Sequence, residues 1–277
     1  MLGYLVNGEQ QNTVAVTDRG LHYGDGLFET IEIIRGQPVF LTQHLARLEA
    51  GCHTLKIPFP STNLLMDEIS HVSKNCTHGV LKLMLTRGSG GRGYRQPDSI
   101  QTTRFIALHP YPTYPENYAT QGVDVRFCTT RLGLNATLAG LKHNNRLDQV
   151  LARAEWQDEC QEGLMLNLNE HVIEGTMTNL FVVKNGVLYT PELNLSGIVG
   201  FIRQIVLLLA EQQGILVQQV KLQQDFVMAA DELFLSNSVI GIWPIKSLEN
   251  KVYPVGSITQ AIQRALVDYK ARAMQLC

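Results

Sequence analysis

Two residues of this chain stand in surroundings that could do chemistry together, Lys142 and Glu174. Lys142 follows a small-residue approach, Ala139-Gly140, and precedes an amphipathic run from Leu147 to Trp156. Leu147, Val150, Leu151 and Ala154 recur there at helical spacing, the pattern of a helix face packed on a core. The spacing places Lys142 at or just before a helix start, on anchored backbone. Downstream, Glu174 is a lone acid in a loop of small residues, Glu174-Gly175-Thr176-Met177-Thr178-Asn179. A lysine held on a scaffold with such an acid fits a Schiff-base lysine and a cofactor partner. Taken singly, both also fit an ordinary helix-start lysine and a loop acid, because short motifs have low specificity.

Anion-binding candidates surround this pair. Arg47 lies one helical turn after His44, so both project from one side of a helix. A guanidinium there can clamp a phosphate with two parallel hydrogen bonds, or simply belong to a solvated face. Ser196-Gly197-Ile198-Val199-Gly200 opens a helix, where backbone N–H groups and the helix dipole bind anions; Ser196 could equally be a cap. Asn237 and Ser238 follow a predicted strand and either donate to a phosphate or close a turn. An imine-forming lysine, a lone acid, an arginine and a helix N-terminus together are the parts that hold pyridoxal phosphate. A rival is Gly88-x-Gly90-x-x-Gly93, which matches the dinucleotide fingerprint of a nicotinamide-dependent oxidoreductase. That fingerprint requires a helix next, and Tyr94-Arg95-Gln96-Pro97 does not favour one. The segment fits a mobile, partly basic loop over a site better.

These residues need elements to position them. Tyr4–Val6 and Thr13–Val16 flank an Asn7-Gly8 turn signal and predict a hairpin. Phe28–Ile34 predicts a strand with Phe28, Thr30, Glu32 and Ile34 on one face and Glu29, Ile31 and Ile33 on the other. Pro38–Phe40 is its partner. Leu41, Leu45, Leu48, Cys52 and Leu55 recur at helical spacing, with Thr42 as a cap near the start. A second helix covers Asn63–Lys74. Strands follow at Val80–Thr86, Arg104–Leu108, Val123–Cys128, Gly163–Leu168, Val172–Glu174, Leu180–Val183, Val217–Val220 and Leu233–Leu235. Ile198–Gln212 is a helix with Phe201, Ile205, Leu208 and Leu209 inward, and Ile258–Met274 closes the chain as another. His109-Pro110-Tyr111-Pro112-Thr113-Tyr114-Pro115 cannot continue a helix or a central strand. The class is therefore mixed α/β in two domains, residues 1–109 and 119–277, joined by a linker at 110–118.

Composition bounds the partners. The chain has 277 residues and a net charge of -2, enough for one large or two medium cores and without the basic block nucleic acid would need. Cys52, Cys76, Cys128, Cys160 and Cys277 are odd in number and widely spaced, which argues against a disulfide framework and a thiolate metal site. No signal peptide and no apolar run of about 18 residues is present, so the expectation is a cytoplasmic protein with no membrane span.

Several stretches occur in one order: His22-Tyr23-Gly24-Asp25-Gly26-Leu27-Phe28-Glu29-Thr30, His44-x-x-Arg47-Leu48, Lys142, Glu174-Gly175-Thr176-x-x-Asn179-Leu180-Phe181 and Gly197-Ile198-Val199. Together they resemble the fold-type IV pyridoxal-phosphate enzymes, a family of branched-chain aminotransferases, D-amino acid aminotransferases and aminodeoxychorismate lyases. The resemblance covers nearly the whole chain. It implies a D-amino acid aminotransferase-like fold of two α/β domains with the cofactor between them, usually as a homodimer. It implies Lys142 as the Schiff-base residue and proton acceptor and Glu174 on the ring nitrogen. Arg47, Ile198, Val199, Asn237 and Ser238 fall to the phosphate. Arg87–Tyr94 and Leu138–Leu151 look like the lyases rather than the aminotransferases. Leu147 stands where branched-chain aminotransferases typically carry tyrosine, and Thr30 where they tend to have glycine. Asn144 departs from similar lyases, which often have an apolar residue there. The implied reaction converts 4-amino-4-deoxychorismate into 4-aminobenzoate and pyruvate. In it Thr30 either positions or relays a proton, or serves only strand packing. A D- or branched-chain amino acid aminotransferase is the alternative. Arg92, Arg104, Arg131 and Arg146 are all open candidates for the substrate carboxylates.

Overall fold

The computed structural model describes residues 2–275, so Cys277 lies outside it. The chain divides into two compact units, one containing residues up to Thr113 and the segment Lys142–Asn145, the other Tyr114–Leu141 and Arg146–Ala271.

The first unit is an antiparallel sheet on which two long helices pack. Its elements are β1 (Gly3–Val6), α1 (Arg19–Tyr23), β2 (Gly26–Ile34), β3 (Gln37–Pro38), α2 (Leu41–Leu55), α3 (Thr62–Ser73), β4 (His78–Thr86) and β5 (Thr103–Pro110). The strand order is β1-β5-β4-β2-β3. Period-2 alternation sorts the strands into two faces. Leu27, Ile31, Ile33, Leu81, Leu83, Leu85 and Ile106 are buried on one. Leu45, Leu48 and Cys52 of α2 are buried as well, and a Cβ on Gly51 would come within 2.8 Å of Leu27, so that helix lies close on the sheet. The other face carries Phe28, Thr30, Lys82, Met84 and Phe105, all half-buried, with Phe28 opposite Met84 and Thr30 opposite Lys82.

The face assignment of the Phe28 strand holds, but the hairpin before it does not form. Asn7-Gly8 turns the chain with φ of 55° and 86°, closing a single bridge from Val6 to Glu9. β1 pairs instead with β5, and residues 13–16 form no strand. β5 offers a continuous register where Thr13–Val16 would add a two-stranded ribbon with nothing to cover it. Thr42 is not a cap, because α2 starts behind Phe40, which occupies the cap position with φ of 56° and makes no side-chain capping bond. His109 and Pro110 end β5, Pro110 opposite Gly79, rather than standing outside the sheet.

The second unit holds α4 (Asn117–Gln121), β6 (Val123–Leu132), α5 (Leu147–Arg153), β7 (Glu162–Asn167), β8 (Val172–Gly175), β9 (Asn179–Lys184), β10 (Val187–Pro191), α6 (Phe201–Gln212), β11 (Val217–Val220), α7 (Gln224–Met228), β12 (Glu232–Asn237), β13 (Gly241–Leu248), β14 (Lys251–Val252) and α8 (Ser257–Gln275). Its sheet runs β11-β10-β9-β12-β13-β6-β7-β8, with β8 also meeting β9. β7 and β8 are buried along their whole length, as strands covered on both faces are. Phe181 and Phe234 stack with ring centroids 4.7 Å apart in the core.

Two helical expectations change here. The stripe on α5 faces outward: Leu147 is 74% exposed and Val150 and Leu151 60% each, while Ala152 is the buried residue. Periodicity identified an apolar face but not what lies against it. α6 begins at Phe201 behind Gly200, so Ile198 and Val199 precede the helix and Ser196 does not cap it. Leu208 is 41% exposed, turned away from the buried line of Phe201, Ile205 and Leu209.

Candidate active site

Lys142 is not on a helix. The backbone at 142–144 lies against the start of β2: Phe28 N–H donates to Lys142 O at 3.0 Å, Asn144 N–H donates to Gly26 O at 3.0 Å, and Leu27 bridges His143. A short β-like clamp therefore anchors the lysine, ahead of α5. Its Nζ lies 4.2 Å from the centroid of the Phe28 ring, and the Lys82 Nζ lies 5.2 Å from the same centroid. An aromatic face attracts ammonium groups, so Phe28 gathers both cations on the sheet face that bears Thr30. Lys82 escaped the sequence reading. Its signal was a lone cation in the apolar run Val80-Leu81-Lys82-Leu83-Met84-Leu85.

Arg47 is neither on a solvated face nor standing alone. Its Nε and Nη2 donate to the two oxygens of Glu29 at 2.7 and 2.5 Å, and His44 Nδ1 meets Glu29 Oε2 at 2.6 Å. Burial pushes the Glu29 carboxyl up, but His44 and Arg47 outweigh it and hold it down at about 2. Burial holds His44 below its ordinary value, so the neutral ring donates through Nδ1 to the ionised Glu29. Glu29 is thus the residue that orients Arg47. Its placement among Ile31 and Ile33 on the core face was the available signal.

The loop before β2 is built on two aspartates, buried Asp18 and half-buried Asp25. Asp18 accepts from Gly20 N–H at 2.7 Å and from the hydroxyls of Thr86 and Thr103 at 2.9 and 2.7 Å. Asp25 receives Arg19 and Arg87; burial raises its pKa, but the bonds from these arginines leave it below the ordinary carboxylate range. Arg19 Nη1 also donates to the carbonyls of Gly93 at 3.1 Å and Arg95 at 3.3 Å. The glycine-rich segment is therefore fastened to Arg19, and residues 94–102 contain no helix, so the dinucleotide fingerprint lacks its pyrophosphate-binding part.

In the second unit Glu174 lies on β8, buried, and its Oε2 accepts from Ile198 N–H at 2.8 Å. Asn179 Nδ2 donates to Ile198 O at 2.9 Å, so both polar groups of that peptide segment are fixed from the Glu174 motif. Val199 N–H donates to Gly140 O at 3.1 Å and Gly140 N–H to Gly197 O at 2.8 Å. Gly197 has φ of 87°, and a Cβ there would lie 2.7 Å from Ile173, so glycine is required beside Glu174. Asn237 closes a turn: its Oδ1 accepts from Val239 and Ile240 N–H at 2.8 and 2.9 Å, and its Nδ2 donates to Met177 O at 3.1 Å. Ser238 sits half-buried within that turn.

The candidate carboxylate-binding arginines separate. Arg104 is committed to Glu68, with its Nη2 at 2.7 Å from Oε1, and Arg131 to Glu170 at 2.9 Å. Arg146 is held below its ordinary pKa by burial, partly offset by the field of Glu174. Arg92 is exposed in the glycine-rich segment. Among the described residues no group of His, Cys, Asp and Glu has the makings of a metal site.

Residues 26–248 match the family described as amino-transferase class IV, and the chain belongs to that family. Among individual proteins, it is 37% identical over 265 residues to the aminodeoxychorismate lyase of Vibrio harveyi, covering 94% of this chain and 98% of that protein. It is 30% identical to the branched-chain-amino-acid aminotransferase of Escherichia coli K12, covering 94% and 90%. The crystal structure of 4-amino-4-deoxychorismate lyase from Pseudomonas aeruginosa superposes with a TM-score of 0.92 at 44% identity, covering 96% of this chain and 98% of that one.

Proposed function

We propose that this protein is a pyridoxal-phosphate-dependent lyase that converts 4-amino-4-deoxychorismate into 4-aminobenzoate and pyruvate. The observation that carries this reading is Thr30, half-buried on the same β2 face as the Phe28 ring beneath Lys142, in a chain 37% identical to an aminodeoxychorismate lyase nearly end to end.

The residues present fit the cofactor. Lys142 offers an amine on an aromatic face, Glu174 a buried carboxylate whose orientation Ile198 N–H fixes, and Ser238 a hydroxyl in a turn. Pyridoxal phosphate, when bound, withdraws electrons from the carbon that carries the substrate nitrogen. Lys142 would carry the cofactor and, freed when the substrate amine takes its place, would accept the proton from that carbon. Glu174 would keep the ring nitrogen protonated. Arg47, held by Glu29, together with Ile198, Val199 and the Asn237-Ser238 turn, holds the phosphate, Asn237 acting by shaping the turn. Thr30 positions or delivers the proton that the departing enolpyruvyl carbon gains. Lys82 places a second cation on this wall, suited to a substrate carboxylate. The bond between the ring carbon and the enolpyruvyl oxygen breaks, and the aromatic product supplies the driving force.

No helix among the described residues is long and apolar enough to cross a membrane. We further propose residence in the cytoplasm, a connection between two domains within residues 110–118, and a homodimer, for which the uncovered Leu147, Val150 and Leu151 on α5 provide apolar surface. A second reading, a branched-chain or D-amino acid aminotransferase, is favoured by the 30% identity to a branched-chain aminotransferase. Incubating the pure protein and pyridoxal phosphate with 4-amino-4-deoxychorismate should release equal amounts of pyruvate and 4-aminobenzoate. Amino-group transfer from a D- or branched-chain amino acid to a keto acid, with no pyruvate release, would overturn the lyase assignment.

A further inference from the structure

We propose that Glu162 is the positioning residue of the cofactor cradle: its buried carboxylate sets the turn from which the contacts to both the ring and the phosphate are hung. The inference rests on the reading of Glu174, Ile198, Val199 and Ser238 as cofactor contacts.

Glu162 opens β7, fully buried. β7 pairs antiparallel with β8, and β8 leads through residues 175–178 into β9. Four donors of that turn, and one from neighbouring Gly163, point at Glu162. Oε1 accepts from Thr176 N–H at 3.0 Å, Thr176 Oγ1–H at 2.5 Å and Gly163 N–H at 2.9 Å. Oε2 accepts from Met177 N–H at 3.1 Å and Thr178 Oγ1–H at 2.9 Å. Burial pushes the carboxyl's pKa up, and the Thr176 and backbone donors act against it. The composition of Glu174-Gly175-Thr176-x-Thr178-Asn179 follows from this anchor. A Cβ on Gly175 would lie 2.1 Å from Thr178 Oγ1 and 2.7 Å from Glu162 Oε2, so only glycine fits. The two threonines supply the hydroxyls that fill the carboxylate.

Three paths leave the anchored turn. Glu174 and Asn179 pair across its base, Gly175 N–H closing on Thr178 O at 2.7 Å. From there Glu174 and Asn179 grip the two sides of the Ile198 segment. Met177, whose amide Glu162 holds, offers its carbonyl to Asn237 Nδ2, and Asn237 shapes the turn that contains Ser238. One carboxylate with no place in the chemistry therefore fixes the acid at the ring nitrogen and both backbone segments assigned to the phosphate.

Glu162→Gln keeps the shape but turns an acceptor oxygen into an NH2 group facing donors. The expected result is a dissociation constant for pyridoxal phosphate raised about tenfold or more, the scale of one lost charge-assisted hydrogen bond. The pH midpoint of the bound cofactor's absorption band should move as well, since Glu174 no longer sits in register with the ring. Thr178→Val, which removes one donor and leaves the carboxylate, should raise the same constant about twofold to tenfold; it decides the matter if Glu162→Gln does not fold. Wild-type affinity and an unmoved band in a folded Glu162→Gln protein, or in Thr178→Val, would overturn the inference even if the melting temperature falls. Glu174→Gln in the same assays separates the two readings. If it leaves band and affinity unchanged, the cofactor assignment itself fails; if it changes them while Glu162→Gln and Thr178→Val do not, only the role of Glu162 fails.

Discussion

Replacing Glu29 by Gln tests the ionic framework behind Arg47. Glu29 is buried and accepts from His44 and from two nitrogens of Arg47. Its pKa falls from 4.5 to about 2, which corresponds to about 3 kcal/mol of native-state stability at neutral pH. The lowered value fixes the sign. The stabilisation is fully present above 4.5, the unfolded value, and is lost as pH falls toward the folded value of about 2. Glu29→Gln should therefore melt about 6–12 °C below wild type at pH 7, using 2–4 °C per kcal/mol for a chain of this size. The gap should shrink to roughly half or less by pH 3 and nearly vanish near pH 2, because wild type sheds the same charge there. Thermal melts followed by circular dichroism across this range measure it. No gap at pH 7, or an equal gap at pH 7 and pH 3, would refute the assignment of Glu29 as an ionised acceptor. His44 acts in the same direction: buried and neutral, it favours the native state less as pH drops below its unfolded value of 6.5.

Two further outcomes are expected. Borohydride reduction of the cofactor-loaded protein followed by peptide mapping should place the label on Lys142; a label on Lys82, the other amine beside Phe28, would reverse their roles. Thr30→Val, which keeps the β-branched shape, should lower pyruvate release about 10²-fold with little change in cofactor binding or melting temperature, the low end for general acid–base catalysis. Near-normal release would leave Thr30 as wall only.

Much of the frame was legible because local periodicity dictates it. The Phe28 strand separates into two faces and α2 repeats its leucines on one side, so both elements and the residues that share a face follow from the sequence. Lys142, Glu174 and Ile198 stood out because residue type and small neighbours marked them. What stayed hidden was pairing. Glu162 precedes an apolar run and looks like a strand's polar edge; its partners at 176–178 reach it only through a hairpin register that a single sequence does not encode visibly. The same limit reversed α5, where an apolar stripe revealed a face but not its neighbour, and misassigned β1, whose partner β5 lies far along the chain.

The β8–β9 segment and the β2–β4 wall differ in how they tolerate substitution, and this bears on how a lyase and an aminotransferase share one fold. The cofactor cradle on β8 and β9 is held by backbone amides, a buried carboxylate and glycines that admit no Cβ, so nearly any change there disturbs the others. The wall on β2 and β4 is different. Its ladder is made by backbone groups, while the side chains of Phe28, Thr30 and Lys82 lie on one face of it. Exchanging Thr30 for glycine would remove a hydroxyl from the wall without breaking a ladder hydrogen bond. Chemistry can therefore diverge on this wall while the cradle keeps its form, which fits a chain that is 30% identical to an aminotransferase and 37% identical to a lyase over nearly the same residues.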